Sequence, residues 1–540
     1  MPSPTLLFKS FKIDNISLKN RITMAPLFTG YAHLDGTVSE LILDHYKELA
    51  QGGTAMIVVG NVSVHSNGLL SRHSLRADDD KFMPGLCRLA EAIKKDSVSV
   101  LQINHGGRFA RTRTAYAPSN VPVEIEAESL GGLYRTALKP LDMHQQLTFL
   151  SEFFSQRPNE LREMSKKDIK ETTKAYADAA VRAREAGFDI VEIHGGTGYL
   201  PVQFLSPRTN KRKDKYGGDL QGRMRFVLEL VEEIKDAVGY DYPVGYRFLA
   251  DEWLPGGFTL EEAKVLAVQL ELRHIAYLSI TAGTYESFFA PEMLERARRP
   301  GYMTDLARDI RSVVSLPVIA TGRITTPDVA EDILVRKDAD LIGLARPLLA
   351  DPQWAKKAKD NKDAIVLCTD CGTCLRCAIA DRPVVCSQWD KIKTVQRKNM
   401  IREIQNPHKK VLITIDNSEN GILGAAYVAN MLGRCSNIKA TLFHVQTDET
   451  YADETGIQEA MNVARSILIK GGIPEKSISI QVQKKDAGIG NDILNEIEKG
   501  GYGTVVVGRR DVSRAHQLFF GSVASKIMQN AKNCTIWIVE

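Results

Sequence analysis

The sequence predicts an α/β protein: a closed (β/α)8 barrel of the TIM type, a cysteine-bearing extension, and a small open α/β domain. Three observations carry that prediction. Over about the first 350 residues, eight short β-branched runs alternate with longer amphipathic stretches. Leu367 to Trp389, LCTDCGTCLRCAIADRPVVCSQW, then holds five of the chain's eight cysteines. A second, shorter alternation opens with VLITIDNSENG, Val411 to Gly421. Eight successive βα units in this length argue for a closed parallel barrel rather than an open sheet. The domains read as residues 1–365 for the barrel, 366–409 for the cysteine segment and linker, and 410–540 for the last domain.

The eight runs lie at 22–25, 55–59, 98–104, 190–193, 243–247, 275–281, 317–320 and 340–344. One helix between them shows its ends plainly. Ser165 with Asp168 three residues on reads as a capping box. Ile169, Tyr176, Ala180 and Ala183 recur at helical spacing, and Gly187 suits the stop. Between Arg113 and Glu163 the periodicity fails. This stretch reads as an irregular excursion on the face where loops of such barrels cover active sites.

Hydrophobic content of 44% and charge of 25% are those of a globular domain protein. A net charge of +4 over 540 residues implies no strong pull on nucleic acid or membrane. No apolar run reaches the roughly 18 residues of a spanning helix, and the start MPSPTLLFKSFK lacks the apolar core of a signal peptide. Clustered thiols without a secretion signal point to a reducing, cytoplasmic setting.

The run Cys368-x2-Cys371-x2-Cys374 suits the corners of one iron–sulfur cube, with Cys386 the natural fourth ligand. Cys377 is surplus and is an alternative fourth ligand. Structural zinc, or five plain reduced thiols, are the other readings.

At the end of strand four stands His194-Gly195-Gly196-Thr197-Gly198-Tyr199. A histidine and a phenol together hydrogen-bond a developing oxyanion and deliver a proton. This motif, the following QFLSP and KYGG, and NRITMAPL, LQINHGGR, ATGRITTPDVAEDIL and GLARPLLADP occur here in the order of the old yellow enzyme family of FMN oxidoreductases. The chain resembles that family from about Leu7 to Trp389. With its cysteine segment it resembles the iron–sulfur branch, which includes trimethylamine dehydrogenase, 2,4-dienoyl-CoA reductase and the enoate reductases.

The resemblance implies FMN, held non-covalently because Phe28 stands where trimethylamine dehydrogenase has its flavin-linking cysteine. It implies one [4Fe-4S] cluster on Cys368, Cys371, Cys374 and Cys386. It places Pro26, Leu27, Phe28 and Gly60 along the flavin ring, Gln102 and Arg247 at its pyrimidine end, and Gly322, Arg323, Ala345 and Arg346 at its phosphate. Catalysis falls to Tyr199, His194 and Thr197, with Tyr285 as a possible substrate contact. Thr197 departs from the family's His or Asn. Threonine is shorter and donates one bond, so the oxyanion site is altered.

The last domain is similar to the universal stress protein family. Asp416 and Ser418 match its opening D-x-S, and Gly508 with Gly521 and Ser522 match its nucleotide loop. Asp511 replaces the loop's second glycine and opposes phosphate unless Arg509 or Arg510 offsets it.

The expected activity is reduction of an activated C=C bond (enone, enoate or enoyl thioester) by hydride from FMN. Amine dehydrogenation is the alternative, and a redox or nucleotide sensor with low turnover is the rival from another class. NAD(P)H is a possible donor, a ferredoxin or flavoprotein a possible electron-transfer partner, and an adenine nucleotide a possible ligand of the last domain. A small-molecule substrate and possible homo-oligomerisation complete the expected partners, with no nucleic acid and no membrane.

Overall fold

The computed structural model describes residues 6–123, 160–405, 410–416, 418–433, 438–447, 454–508, 522–531 and 534–539, together with Gly132 and Gln146. The chain divides into two compact units, Met1–Ile401 and Arg402–Glu540.

In the first unit all eight predicted strands form. They are β1 (Ile22–Met24), β2 (Met56–Ser63), β3 (Val98–Asn104), β4 (Ile190–Gly195), β5 (Val244–Leu249), β6 (Tyr277–Thr281), β7 (Val318–Ala320) and β8 (Leu341–Leu344). Neighbours pair in parallel around a ring. The ring closes where β8 meets β1, with Ile342 opposite Ile22 and Leu344 opposite Met24. The strands are buried on both sides, which is why they read as β-branched runs.

The helix predicted after Ser165 is α1 (Lys166–Glu185). Both bonds of its capping box are present, and Ile169, Tyr176, Ala180 and Ala183 are buried on its inner face. Gly187, at φ 91°, turns the chain into β4.

A short antiparallel hairpin, Phe11–Ile13 with Ile16–Leu18, precedes β1. Its Ile13 and Leu18 are fully buried among Met56, Val100, Ile190, Tyr277 and Leu341, residues near the starts of the barrel strands. Burying each such side chain contributes about 1.5–3 kcal/mol. The hairpin plugs the N-terminal end and leaves chemistry to the C-terminal mouth.

The excursion after β3 is not irregular throughout. Thr114–Ala117 pairs in parallel with Glu160–Glu163 at its two ends. Four-residue strands paired across more than forty positions leave no local periodicity to read. Residues 124–159, apart from Gly132 and Gln146, lie outside the described residues. The charged segment after Cys386 contains a helix, Lys391–Gln405, and within the first unit its Arg397 pairs with Asp44 and Glu48, both at 2.9 Å.

The second unit is an open parallel sheet of β9 (Lys410–Thr414), β10 (Lys439–Gln446), β11 (Ile478–Lys484), β12 (Thr504–Gly508) and β13 (Thr535–Val539), in the order β11-β10-β9-β12-β13. Alternate residues face opposite sides. Val411, Ile413 and Val506 join one core with Val428 and Met461, while Leu412, Val505 and Phe443 join the other with Ile493 and Ile527. Among the described residues no helix is long and apolar enough to cross a membrane.

Candidate functional site

The barrel's inward-facing side chains near its mouth are polar where an apolar filling would be the default. Gln102 on β3 and Glu192 on β4 are register partners, and Gln102 Nε2 donates to Glu192 Oε1 at 2.7 Å. The Tyr277 hydroxyl donates to Glu192 Oε2 at 2.8 Å. Burial raises the Glu192 carboxyl pKa, and the Arg247 charge with the Tyr277 and Gln102 bonds opposes that rise. Arg247 itself donates to Ser279 Oγ at 2.7 Å. With Gln102 Nε2 committed to Glu192, its Oε1 is the atom left to accept from a ligand.

His194 lies two residues beyond Glu192 and so shares its face of β4. Its Nδ1 accepts from the Gly196 amide at 3.3 Å, so Nε2 carries the ring proton. Burial, with the Arg247 charge, pushes its pKa down to about 3. The imidazole is therefore a neutral hydrogen-bond donor. Its ring meets Tyr199 edge-on, with centroids 4.7 Å apart. The Tyr199 hydroxyl lies 2.7 Å from that of Tyr285. Burial and the Tyr285 hydroxyl hold the Tyr199 phenol pKa well above its ordinary value. Phe109 packs against both tyrosines, and Phe288 against Tyr285. Thr197 occupies the turn between His194 and Tyr199 in a left-handed conformation, φ 60°. That is a strained setting for a β-branched residue.

Three further predicted groups sit at strand ends. Pro26, Leu27 and Phe28 are half-buried after β1. Gly60 is packed so closely that a Cβ there would meet Pro26 Cβ at 2.5 Å and Gln102 Oε1 at 3.0 Å. The structure thus brings Pro26, Gly60 and Gln102 together. Gly322 and Arg323 form a left-handed turn after β7, at φ 109° and 54°, and Ala345 and Arg346 follow β8. Both arginines reach one carboxylate, Asp370: Arg323 at 3.1 Å, and Arg346 in direct contact.

Asp370 belongs to the cysteine segment, where Cys368, Cys371, Cys374 and Cys386 line a single cavity with Arg346, Leu349 and Ser387. Cys377 is not part of that lining. Burial pushes Cys374 up to about 11, with Arg346 opposing and the Cys368 and Cys386 neighbours adding to it. Against the same burial, hydrogen bonding with the Ser387 and Thr373 hydroxyls brings Cys371 down to about 7. Among the described residues no three His, Cys, Asp or Glu side chains are placed to hold a single metal ion.

In the second unit Asp416 lies just past β9 and Gly508 ends β12, the adjacent strands at which the sheet order reverses and where such sheets bind ligands. Asp416 Oδ1 accepts from the Ser418 amide at 3.1 Å and from its hydroxyl, and Ser418 caps the helix Glu419–Leu432. A Cβ on Gly508 would meet the Asn420 carbonyl oxygen at 2.7 Å, so that strand end abuts the same helix start. Gly521 and residues 509–511 lie outside the described residues, as does the side chain of Ser522.

Residues 6–364 match the NADH:flavin oxidoreductase / NADH oxidase family, and the chain belongs to it. Residues 407–540 match the universal stress protein family. An NADH oxidase of Thermoanaerobacter brockii is 41% identical over 369 residues, which are 68% of this chain and 52% of that protein. A metal reductase of Desulforamulus reducens is 37% identical over 389 residues, 71% of this chain and 53% of that protein. The chain therefore spans about half the length of these relatives. A solved 2-naphthoyl-CoA reductase complex shares the fold at a TM-score of 0.62 and 24% identity, covering 94% of this chain and 75% of that one.

Sequence reasoning missed Glu192, Asp370 and Phe109. Glu192 had a readable signal: a carboxylate inside the apolar strand IVEIH, on the same face as His194. Asp370 had only its place between two cysteines. Phe109 had none beyond aromatic character.

Proposed function

We propose that this chain binds FMN in the barrel mouth and a [4Fe-4S] cluster in the thiol cavity, and reduces an activated C=C bond. The residues present suit both groups. Gln102 Oε1 and Arg247 offer one acceptor and one cation for a pyrimidine edge, and Arg323 with Arg346 offer two cations for a phosphate. Four thiols around one cavity suit a cluster. When bound, the reduced flavin supplies a hydride to the β-carbon of an enone, enoate or enoyl thioester.

The chain's own residues do the rest. His194 Nε2–H donates to the substrate carbonyl oxygen and stabilises the enolate charge as it develops. Tyr199, protonated throughout the neutral range, gives its proton to the α-carbon. Tyr285, 2.7 Å away, orients that hydroxyl. Phe109 and Phe288 exclude water around it. The observation that carries this reading is the buried Tyr199 hydroxyl set between a neutral His194 and Tyr285.

The same aromatic lining favours a second reading. Phe109, Tyr199, Tyr285 and Phe288 would bind an alkylammonium through their rings, and the amine would be oxidised after losing its proton. An anaerobic assay separates the two. Reoxidation of reduced protein by enones or enoates supports the first. Reduction of oxidised protein by methylamines supports the second, and neither reaction leaves low-turnover sensing. In the same assay NADH and NADPH are compared as donors.

A further inference from the structure

Asp370 stands in the turn Cys368-Thr369-Asp370-Cys371, and its backbone is left-handed, with φ 56°. Glycine takes that conformation most easily, and Asp and Asn tolerate it best among the rest. Backbone geometry alone therefore asks for no carboxylate. What the carboxylate touches accounts for it. Its Oδ2 receives Arg323 Nη1 at 3.1 Å, and its Oδ1 receives Arg346 Nη1. One side chain thus ties the loops after β7 and β8 to the cysteine turn. Arg346 also lines the cavity of Cys368, Cys371, Cys374 and Cys386. The arginine pair and the thiol cavity, separate in sequence, are contiguous.

We propose that Asp370 is a positioning residue that couples the two cofactor sites. Ligation of a cluster by Cys368 and Cys371 fixes the turn between them. The fixed turn holds Asp370, and Asp370 holds Arg323 and Arg346 in the orientation that receives the flavin phosphate. This rests on the reading given under Proposed function. The sign of the coupling follows from two opposed effects. Asp370 repels the phosphate, but two guanidiniums face that one carboxylate, and each has further N–H groups to spare. Ordering the pair beforehand removes an entropic cost that binding would otherwise meet. The cluster therefore strengthens FMN binding, and by linkage FMN strengthens retention of the cluster.

The test uses the full-length protein, deflavinated, in cluster-loaded and iron-depleted forms prepared without oxygen. FMN is titrated into each, and its fluorescence quenching gives Kd. Iron depletion should weaken FMN by about 10-fold or more in the native chain, within the usual range of such couplings. In Asp370→Asn, which keeps the tolerance for a left-handed turn and removes the charge, the two forms should agree within about 3-fold. Asp370→Gly removes carboxylate and strain together and should behave alike; it serves if the Asn variant does not fold. Iron retained after dialysis against a chelator should rise with FMN in the native chain and not in the variants. Native affinity that is unchanged or tighter after iron depletion overturns the proposal. So does an equal loss in native and variant proteins. A protein that takes up no FMN or no iron overturns the functional reading as well, whereas uptake of both without linkage overturns the coupling alone.

Discussion

Replacing Tyr199 with Phe removes one hydroxyl from the centre of the mouth and tests the proposed chemistry most directly. The structural cost is small. The lost bond to the Tyr285 hydroxyl is neutral, and such bonds contribute about 1 kcal/mol. Leaving the Tyr285 hydroxyl without that partner costs about 1–3 kcal/mol at most. Against the roughly 5–15 kcal/mol that holds a typical domain folded, the variant remains native. The catalytic cost is larger. A positioned acid contributes about 10²–10⁴-fold, equivalent to about 2.7–5.5 kcal/mol of barrier. Stopped-flow absorbance without oxygen separates two half-reactions: reduction of the protein by its donor, and reoxidation by a cyclic enone. Tyr199→Phe should slow the second by that factor and leave the first within about 2-fold. Because the Tyr199 pKa is raised, the native reoxidation rate should not fall as pH rises to about 9, where an ordinary phenol already begins to ionise. An enone rate that survives the substitution, or a loss confined to the donor step, would refute the assignment of Tyr199 as proton donor.

Other outcomes follow from the same geometry. Protein purified without oxygen should release FMN on acid precipitation and hold about four irons per chain. Cys371→Ser should lose the iron and Cys377→Ser should keep it, because Cys371 lines the cavity and Cys377 does not; iron analysis of both variants decides this. Three buried histidines, His45, His105 and His194, are each held down to about 3 by burial above all. Their unfolded counterparts take up protons below about pH 6.5, so stability should fall as pH falls. Each contributes a loss of about 2 kcal/mol by pH 5, offset in part by Glu192, whose raised pKa has the opposite sign; urea midpoints at pH 7 and 5 measure the net change, and a higher midpoint at pH 5 contradicts it. In the second unit Asp511 should weaken a triphosphate more than a monophosphate, so AMP should bind at least as well as ATP and Asp511→Gly should selectively improve ATP; calorimetry of both nucleotides on both forms checks this.

The parts of this protein that were legible in its sequence are those whose causes are local. The barrel strands could be read because burial on both faces demands β-branched runs, and α1 because Ser165 and Asp168 satisfy its first amides within four residues. His194, Thr197 and Tyr199 were legible because one tight turn presents them all. The cysteine turn was legible for the same reason. What was not legible depends on pairs far apart in the chain. Gln102 and Glu192 are 90 positions apart and meet only because their strands are barrel neighbours in one register. Tyr199 and Tyr285 are 86 apart and share a proton site only after the barrel closes.

Asp370 is the sharpest case, because the residues around it were singled out in the sequence and its contacts with them were still hidden. Three cysteines were singled out by spacing, with Cys386 as the natural fourth, and Arg323 and Arg346 by the family resemblance. Nothing local relates one group to the other. The relation appears when closure of β8 against β1 brings the end of the barrel sequence beside its beginning, so that the chain that follows meets the loop after β1. Tyr31 in the loop after β1 then donates to the Val384 carbonyl at 2.8 Å, and Val384 donates to Thr29 at the same distance. Those bonds seat the cysteine segment against the barrel, and that seating puts a carboxylate between two arginines. The arginine pair and the thiol cavity, which a one-dimensional reading keeps apart, acquire a common residue through topology alone.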